Sequence, residues 1–309
     1  MKESHIPVLA KEWLDFLQNK VIKIYVDGTL GAGGHALSVL KAHPEIETMI
    51  GIDQDIDALE MAKERVKEWQ NKVLFVHRNF SEIHSVLDEL GVEKVDGILL
   101  DLGVSSMQLD QGERGFSFQH VGPLDMRMNQ ENDLSAEVII NTWSEEELGR
   151  IFRDYGEESH WRRAARRVVQ ERKNRRIKTT KDLVEVLSPV LKQRKVGIHP
   201  VTKVFQALRI CVNSELEVLR EVLPQAIASL NSQGVLGVIS FHSLEDRIVK
   251  KFFNLEASSK QDTSGLSGLF LEKQPTVNVL TKKPVTASDE EMEQNPRSRS
   301  AKLRVVEKK

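Results

Sequence analysis

Cysteine is nearly absent from the 309 residues: the single Cys211 excludes an internal disulfide and is compatible with a reducing cytoplasm. No apolar run approaches the roughly 18 residues of a membrane span, and no secretory signal is visible, so neither export nor membrane insertion is expected and a cytoplasmic location is. Internal repeats and low-complexity tracts are missing as well. Net charge is almost absent, at -2, but that balance hides an uneven distribution described below. What remains is an ordinary soluble composition, 40% hydrophobic and 29% charged, in a chain long enough for one large domain plus a small one.

The stretch from Ile24 to Asp53 organises the rest. Ile24-Tyr25-Val26-Asp27 is a short apolar run closed by an acid, and it passes directly into Gly28-Thr29-Leu30-Gly31-Ala32-Gly33-Gly34-His35. Ala36, Leu37, Val39 and Leu40 then recur at helical spacing, and Met49-Ile50-Gly51-Ile52 forms a second apolar run stopped by Asp53. Strand, glycine loop, helix, strand and acid in that order describe a nucleoside-bearing cofactor site, with the second acid placed to meet ribose hydroxyls. The glycine spacing is not that of a dinucleotide fingerprint. Asp27 beside the loop would repel a pyrophosphate but suits the ammonium of an amino-acid moiety, which points to S-adenosyl-L-methionine, with Asp27, Gly31, Gly33, Gly34 and Asp53 around it. The competing reading is a tight strand-to-helix turn without a ligand.

Leu9, Trp13, Phe16 and Leu17 share one face of a covering helix over 10–18. Apolar residues at Ile56, Leu59, Ala62, Val66 and Trp69 predict a further helix, and Val73-Leu74-Phe75-Val76 a third strand. Phe80, just beyond it, either packs against adenine or belongs to the core. Val95 to Asp101 is a fourth strand ending on another acid. Alternating strands and helices predict an α/β, doubly wound parallel sheet. In such a sheet Asp27, Asp53 and Asp101 converge beyond the carboxyl ends of the strands.

From about residue 107 the pattern changes. A long glycine- and charge-rich segment carries Phe, Met, Arg and Asp, a mixture that favours a functional loop; Arg127 in it either meets an RNA phosphate or pairs with Asp125 or Asp110. Ser144 with Glu147, and Thr179 or Thr180, cap predicted helices. Between them, residues 161–178 hold nine Lys or Arg against the one acid Glu171. Trp161, Ala164, Ala165, Val168 and Val169 form an apolar stripe, and Arg162, Arg163, Arg166 and Arg167 lie largely outside it. A solvated face is the bland explanation, but so dense a single-sign cluster on a mildly acidic chain is better explained by a polyanion, and RNA fits. Residues 203–223 read as one helix, with the roles of Arg209, Asn213 and Glu215 open. Gly234 to Phe241 reads as a fifth strand leading to His242, residues 257–273 as a mobile segment, and Thr276–Leu280 and Ala301–Val306 as edge strands.

Asp27-Gly-Thr-Leu-Gly-Ala-Gly-Gly-His35, Asp96 to Ser106, Arg114-Gly-Phe-Ser-Phe118, Gly122 to Met128 and Ser240-Phe-His-Ser-Leu-Glu-Asp-Arg247 together resemble the RsmH (MraW) family, from His5 to the tail at Arg304. The resemblance implies a Rossmann-like class I methyltransferase sheet with an inserted small helical domain. Residues 1–106 and 204–309 would form the methyltransferase domain, and 107–203 the loop and helical substrate-recognition insert. The implied activity is S-adenosyl-L-methionine-dependent methylation of the exocyclic N4 of a cytidine in 16S ribosomal RNA, in the decoding region, within the small ribosomal subunit. The family pattern places the cofactor on Gly33, Gly34, His35, Asp53, Phe80, Asp101 and Gln108, all matched here. The Asp/Asn-Pro-Pro-aromatic motif common to amino-methyltransferases is missing; Asp101-Leu-Gly-Val-Ser stands in its place, so a stacking group must come from elsewhere. Asp101 is then either the proton acceptor or a cofactor contact. Ser105, Ser106, Arg127, the four arginines and His242 are candidate substrate contacts, His242 being equally suited to a structural role. No metal is expected, and a homodimer is compatible with the sequence. An NAD-dependent oxidoreductase, a non-catalytic RNA-binding protein and a DNA amino-methyltransferase are the alternatives.

Overall fold

The computed structural model describes residues 6–191, 199–260 and 272–309; most of the segment read above as mobile therefore lies outside the described residues. The chain divides into two compact units, one of residues 1–103 and 216–309, the other of residues 104–215.

The first unit opens with α1 (Ala10–Leu17), β1 (Ile24–Asp27), α2 (Gly34–Ala42), β2 (Thr48–Asp53), α3 (Ile56–Arg65), β3 (Val73–His77), α4 (Ile83–Glu89) and β4 (Val95–Asp101). The second contains α5 (Ser106–Asp110), α6 (Ala136–Thr142), α7 (Glu145–Asp154), α8 (Trp161–Glu171), α9 (Thr180–Leu187) and α10 (Thr202–Val212). After α11 (Glu215–Ser229), the chain completes the first unit with β5 (Leu230–Ser240), α12 (Ser243–Ala257), β6 (Val277–Val279), α13 (Asp289–Gln294) and β7 (Lys302–Lys308).

The seven strands form one sheet in the order β3-β2-β1-β4-β5-β7-β6. The first five are parallel, and β7 runs antiparallel to both of its neighbours. Alternation at period two sends Tyr25, Met49, Leu99, Val235 and Ile239 to one face, where α1, α2 and α3 cover them. Val26, Ile50, Ile98, Leu100, Leu236 and Val238 go to the other, under α4, α11 and α12. Both faces are therefore buried, as a doubly wound parallel sheet requires. The α1 helix is anchored by Trp13, whose indole donates to the Tyr25 hydroxyl at 2.9 Å. The ring lies so close to Gly237 that an added Cβ would stand 2.4 Å from it.

In the second unit α6 to α10 bury Ile139, Ile140, Leu148, Phe152, Val168, Leu183, Val204 and Leu208 in a core of their own. The caps form as their spacing predicts: Ser144 and Glu147 make a reciprocal capping box, and it is Thr179, with Asp182, that caps α9. Two expectations are corrected. The single helix over 203–223 is broken between α10 and α11, where Ser214 adopts φ 50°. Asn213 explains the break, because its amide donates to Met126 O and accepts from Met128 N, both at 2.8 Å, and so ties the end of α10 to the preceding loop. Residues 204–215, read above as part of the methyltransferase half, accordingly pack in the second unit. Arg209 and Glu215 close the same corner through two parallel 2.8 Å bonds.

Candidate active site at the strand ends

Asp27, Asp53 and Asp101 are the last residues of β1, β2 and β4. Parallel register puts all three at the same edge of the sheet. The glycine loop joins β1 to α2 there. Gly33, the residue before α2, holds φ 76°, and a Cβ on it would approach Ala62 to 3.2 Å; a side chain would be strained and crowded at once. Gly31 donates its N–H to Asp53 Oδ2 at 2.7 Å, and Asp55 N donates to Asp53 Oδ1 at 2.9 Å. Asp53 thus holds the loop as well as facing outward from the strand end.

Asp27 is 1% exposed. One of its oxygens accepts from Thr29 N at 3.2 Å, and the other has no partner. Burial pushes this carboxyl up to about 7, against the opposing pull of His35. Burial likewise raises Asp53 to about 6, opposed by the N–H groups of Asp55 and Gly31. At the next strand end Asp101 N donates to Thr29 Oγ1 at 2.6 Å, which fixes the tip of β4 against the loop. Asp101 Oδ2 lies 3.4 Å from His35 Nε2, and its Oδ1 is buried without a hydrogen bond. Phe80 opens the turn after β3, its Cβ 3.6 Å from where a Cβ on Gly28 would stand.

Thr29 and Glu291 belong to this neighbourhood, although the sequence reading did not single them out. Thr29 sits inside the glycine motif, where a hydroxyl beside two strand ends is a signal worth reading. Glu291, on α13, accepts from Leu9 N at 2.8 Å and acts electrostatically on His35; nothing local in the sequence marks it.

The remaining candidates fall as follows. His242 caps α12: its Nδ1 faces Glu245 N at 3.5 Å, while Glu245 Oε2 accepts from His242 N at 3.2 Å. Ser105 and Gln108 lie in the second unit and form the capping box of α5, with Gln108 buried and accepting from Ser105 N at 3.0 Å. Ser106 is the first residue of α5. Arg127 holds Asp125 through its Nε and Nη2 at 2.9 and 2.7 Å, and its Nη1 donates to the carbonyls of Gln130 and Asn132. On α8, Arg162, Arg163 and Arg166 are exposed and Arg167 is half-buried. Arg166 lies 3.5 Å from Glu145 and Arg167 3.1 Å from Glu171.

The donor set fits S-adenosylmethionine. Two buried carboxylate oxygens without partners, on Asp27 and Asp101, match a cationic ligand and oppose a phosphate. Asp53 retains lone-pair capacity for hydroxyl donors beyond the backbone bonds it accepts from Asp55, Gly31 and Gln54. A doubly wound sheet with an antiparallel β7 and this acid-lined edge defines a Rossmann-like class I methyltransferase that uses S-adenosylmethionine. Sequence comparison places it further. The profile of the MraW methylase family matches residues 2–309, and the chain belongs to that family. It is 53% identical over 306 residues to a protein of Protochlamydia amoebophila named ribosomal RNA small subunit methyltransferase H, covering 98% of this chain and 97% of that one. Proteins of the same name from Clostridium botulinum and Clostridioides difficile are 48% and 45% identical, with both chains fully covered in each comparison.

Asp53→Ala is expected to weaken S-adenosylmethionine binding at least tenfold, through loss of charge-assisted hydrogen bonds worth about 1.5–3 kcal/mol; isothermal calorimetry checks it. In the parent protein the raised Asp53 and Asp27 carboxyls set a pH dependence. Because the ligand favours their ionised forms, affinity should fall as the pH drops through about 7 and then about 6. The same shifts act on folding with the opposite sense. An acid whose folded pKa is raised favours the fold most below its unfolded value of 3.8, and that contribution is lost as pH rises through 6 to 7.

Proposed function

We propose that this chain methylates the exocyclic N4 of a cytidine in small-subunit 16S ribosomal RNA, in the decoding region, with the small ribosomal subunit as the partner. The observation that carries the reading is the full-length similarity to proteins named ribosomal RNA small subunit methyltransferase H. The five motifs shared with the family support the choice of base and position, and the basic face of α8 supports a polyanionic substrate. The helical unit is taken as the substrate-recognition part of the enzyme. Among the described residues no helix is long and apolar enough to cross a membrane.

Bound S-adenosylmethionine supplies an electrophilic methyl group on a sulfonium. The residues of this chain have mainly to bind it, orient the acceptor and exclude water. Asp27 meets cationic charge with its unpartnered oxygen, Asp53 accepts ribose hydroxyls, and the glycine loop allows close approach. Cytosine N4 is a weak nucleophile because its lone pair is delocalised into the ring. Asp101, accepting its N–H, favours the tetrahedral nitrogen and takes the released proton. The cytidine has to leave its stack to reach such a pocket.

Incubating the protein with labelled S-adenosylmethionine and, in parallel, small subunits, free 16S RNA and duplex DNA tests the proposal. Label should enter subunits or RNA, and digestion followed by mass spectrometry should yield N4-methylcytidine. Label confined to DNA, or to another nucleoside, overturns it.

A further inference from the structure

Beside the glycine loop, Asp27 Oδ2, Asp101 Oδ1 and both ring nitrogens of His35 are buried without a hydrogen-bond partner. His35 stands in the first turn of α2, 6% exposed. Its Nε2 is 3.4 Å from Asp101 Oδ2, within range of charge attraction but not aligned as a hydrogen bond. The groups acting on this ring are all acidic: Asp101, Asp27 and, from α13, Glu291. Behind them Asp53 acts on Asp27, and Glu12 of α1 acts on Glu291. From α3, Arg65 brings a cation towards the start of α2, its Nη1 3.4 Å from where a Cβ on Gly34 would stand. Several carboxylates so close together, Asp27 among them fully buried, oppose one another's ionisation unless a cation lies among them.

We propose that His35, 3.4 Å from Asp101 Oδ2, is a positioning residue that holds the Asp101 carboxylate in place for methyl transfer and so shapes the pH dependence of that step. The inference rests on the reading of Asp101 as proton acceptor given above. In that step the acceptor nitrogen bonds to the methyl carbon, and the carbon–sulfur bond breaks with its electron pair left on sulfur. The nitrogen's proton passes to the Asp101 carboxylate. His35 touches none of the reacting atoms and keeps its proton throughout. Burial opposes charge on the ring, but Asp101 and then Asp27 outweigh it and hold the imidazole above its ordinary range.

The test pairs a ligand-free titration with a rate profile. In NMR titration of the cofactor-free full-length protein, the His35 ring should titrate above 6.5 and move down in Asp101→Asn. Glutamine at position 35 offers an N–H near the Nε2 position without charge. At saturating cofactor, His35→Gln should therefore lower kcat most on the acid side of its pH profile, a loss that narrows as the pH rises. A ring that titrates at or below the ordinary value, a ring indifferent to Asp101→Asn, or a His35→Gln variant with the parent's pH profile each overturns the proposal. Should His35→Gln fail to fold, the titration alone decides. Nucleoside analysis of the parent's product separates the two levels. N4-methylcytidine formed alongside a normally titrating ring defeats only the role of His35. Absence of N4-methylcytidine defeats the functional reading, while the titration still measures the His35–Asp101 pair.

Discussion

Asp101→Asn is expected to lower kcat for methyl transfer by about 10²–10⁴-fold, the range spanned by a positioned general base. Asparagine keeps the size of the side chain, and the strand tip stays fixed because the bond from Asp101 N to Thr29 Oγ1 comes from the backbone. The fold should therefore be unaffected, and circular dichroism with thermal melting checks that it is. Single-turnover rates at saturating cofactor, measured beside calorimetric affinity, separate the two roles considered for this residue. A deep reduction that persists at saturation marks the proton acceptor. If the rate recovers fully once cofactor saturates, Asp101 is a cofactor contact and the acceptor must be found elsewhere.

Changing Arg162, Arg163, Arg166 and Arg167 together to Gln is expected to weaken binding to RNA or subunits and to flatten its dependence on salt, with cofactor affinity intact. For single-stranded RNA, each phosphate that is no longer neutralised takes about 0.7 off the slope of log affinity against log salt. Arg167 is partly buried and pairs with Glu171 at 3.1 Å, and Arg166 lies 3.5 Å from Glu145. Those two should count for less than Arg162 and Arg163, so a slope change of about 2 is the realistic figure. Glutamine has nearly the helix propensity of arginine. The main structural cost is removal of the Arg162 guanidinium from its place 4.2 Å over the Trp161 ring, an interaction worth about 0.5–1 kcal/mol at an exposed site. Phosphate contacts orient without reading bases, so the weakening should be similar for all RNA sequences. A quadruple variant that methylates subunits at the parent rate across the salt range would make these arginines a solvated face.

Sequence alone carried the parts of the fold that depend on local pattern. β1 and β4 end where apolar runs meet Asp27 and Asp101, because alternation and the strand-ending acid are both written in consecutive residues. The caps at Ser144 and Thr179 were legible for the same reason, since a capping box spans four positions. The break at Ser214 was not, because the apolar periodicity runs on through it. Only the preceding loop, with Met126 and Met128 brought to Asn213 from more than 80 residues away, stops the helix. For Arg127 and His242 the sequence left two readings, and only the packed neighbours show what the side chains hold: Asp125 for one and the Glu245 backbone for the other.

The sequence by itself determined the order of strands and helices, the acids at the strand ends and the basic run on α8, because each follows from residues close together in the chain. The tertiary structure alone decided the charge environment of the site. His35 meets Asp101 from 66 positions away and Glu291 from 256. Burial raises the Asp27 and Asp53 carboxyls, while the neighbouring acids, Asp101 first, raise His35 against the effect of its own burial; no local pattern encodes either.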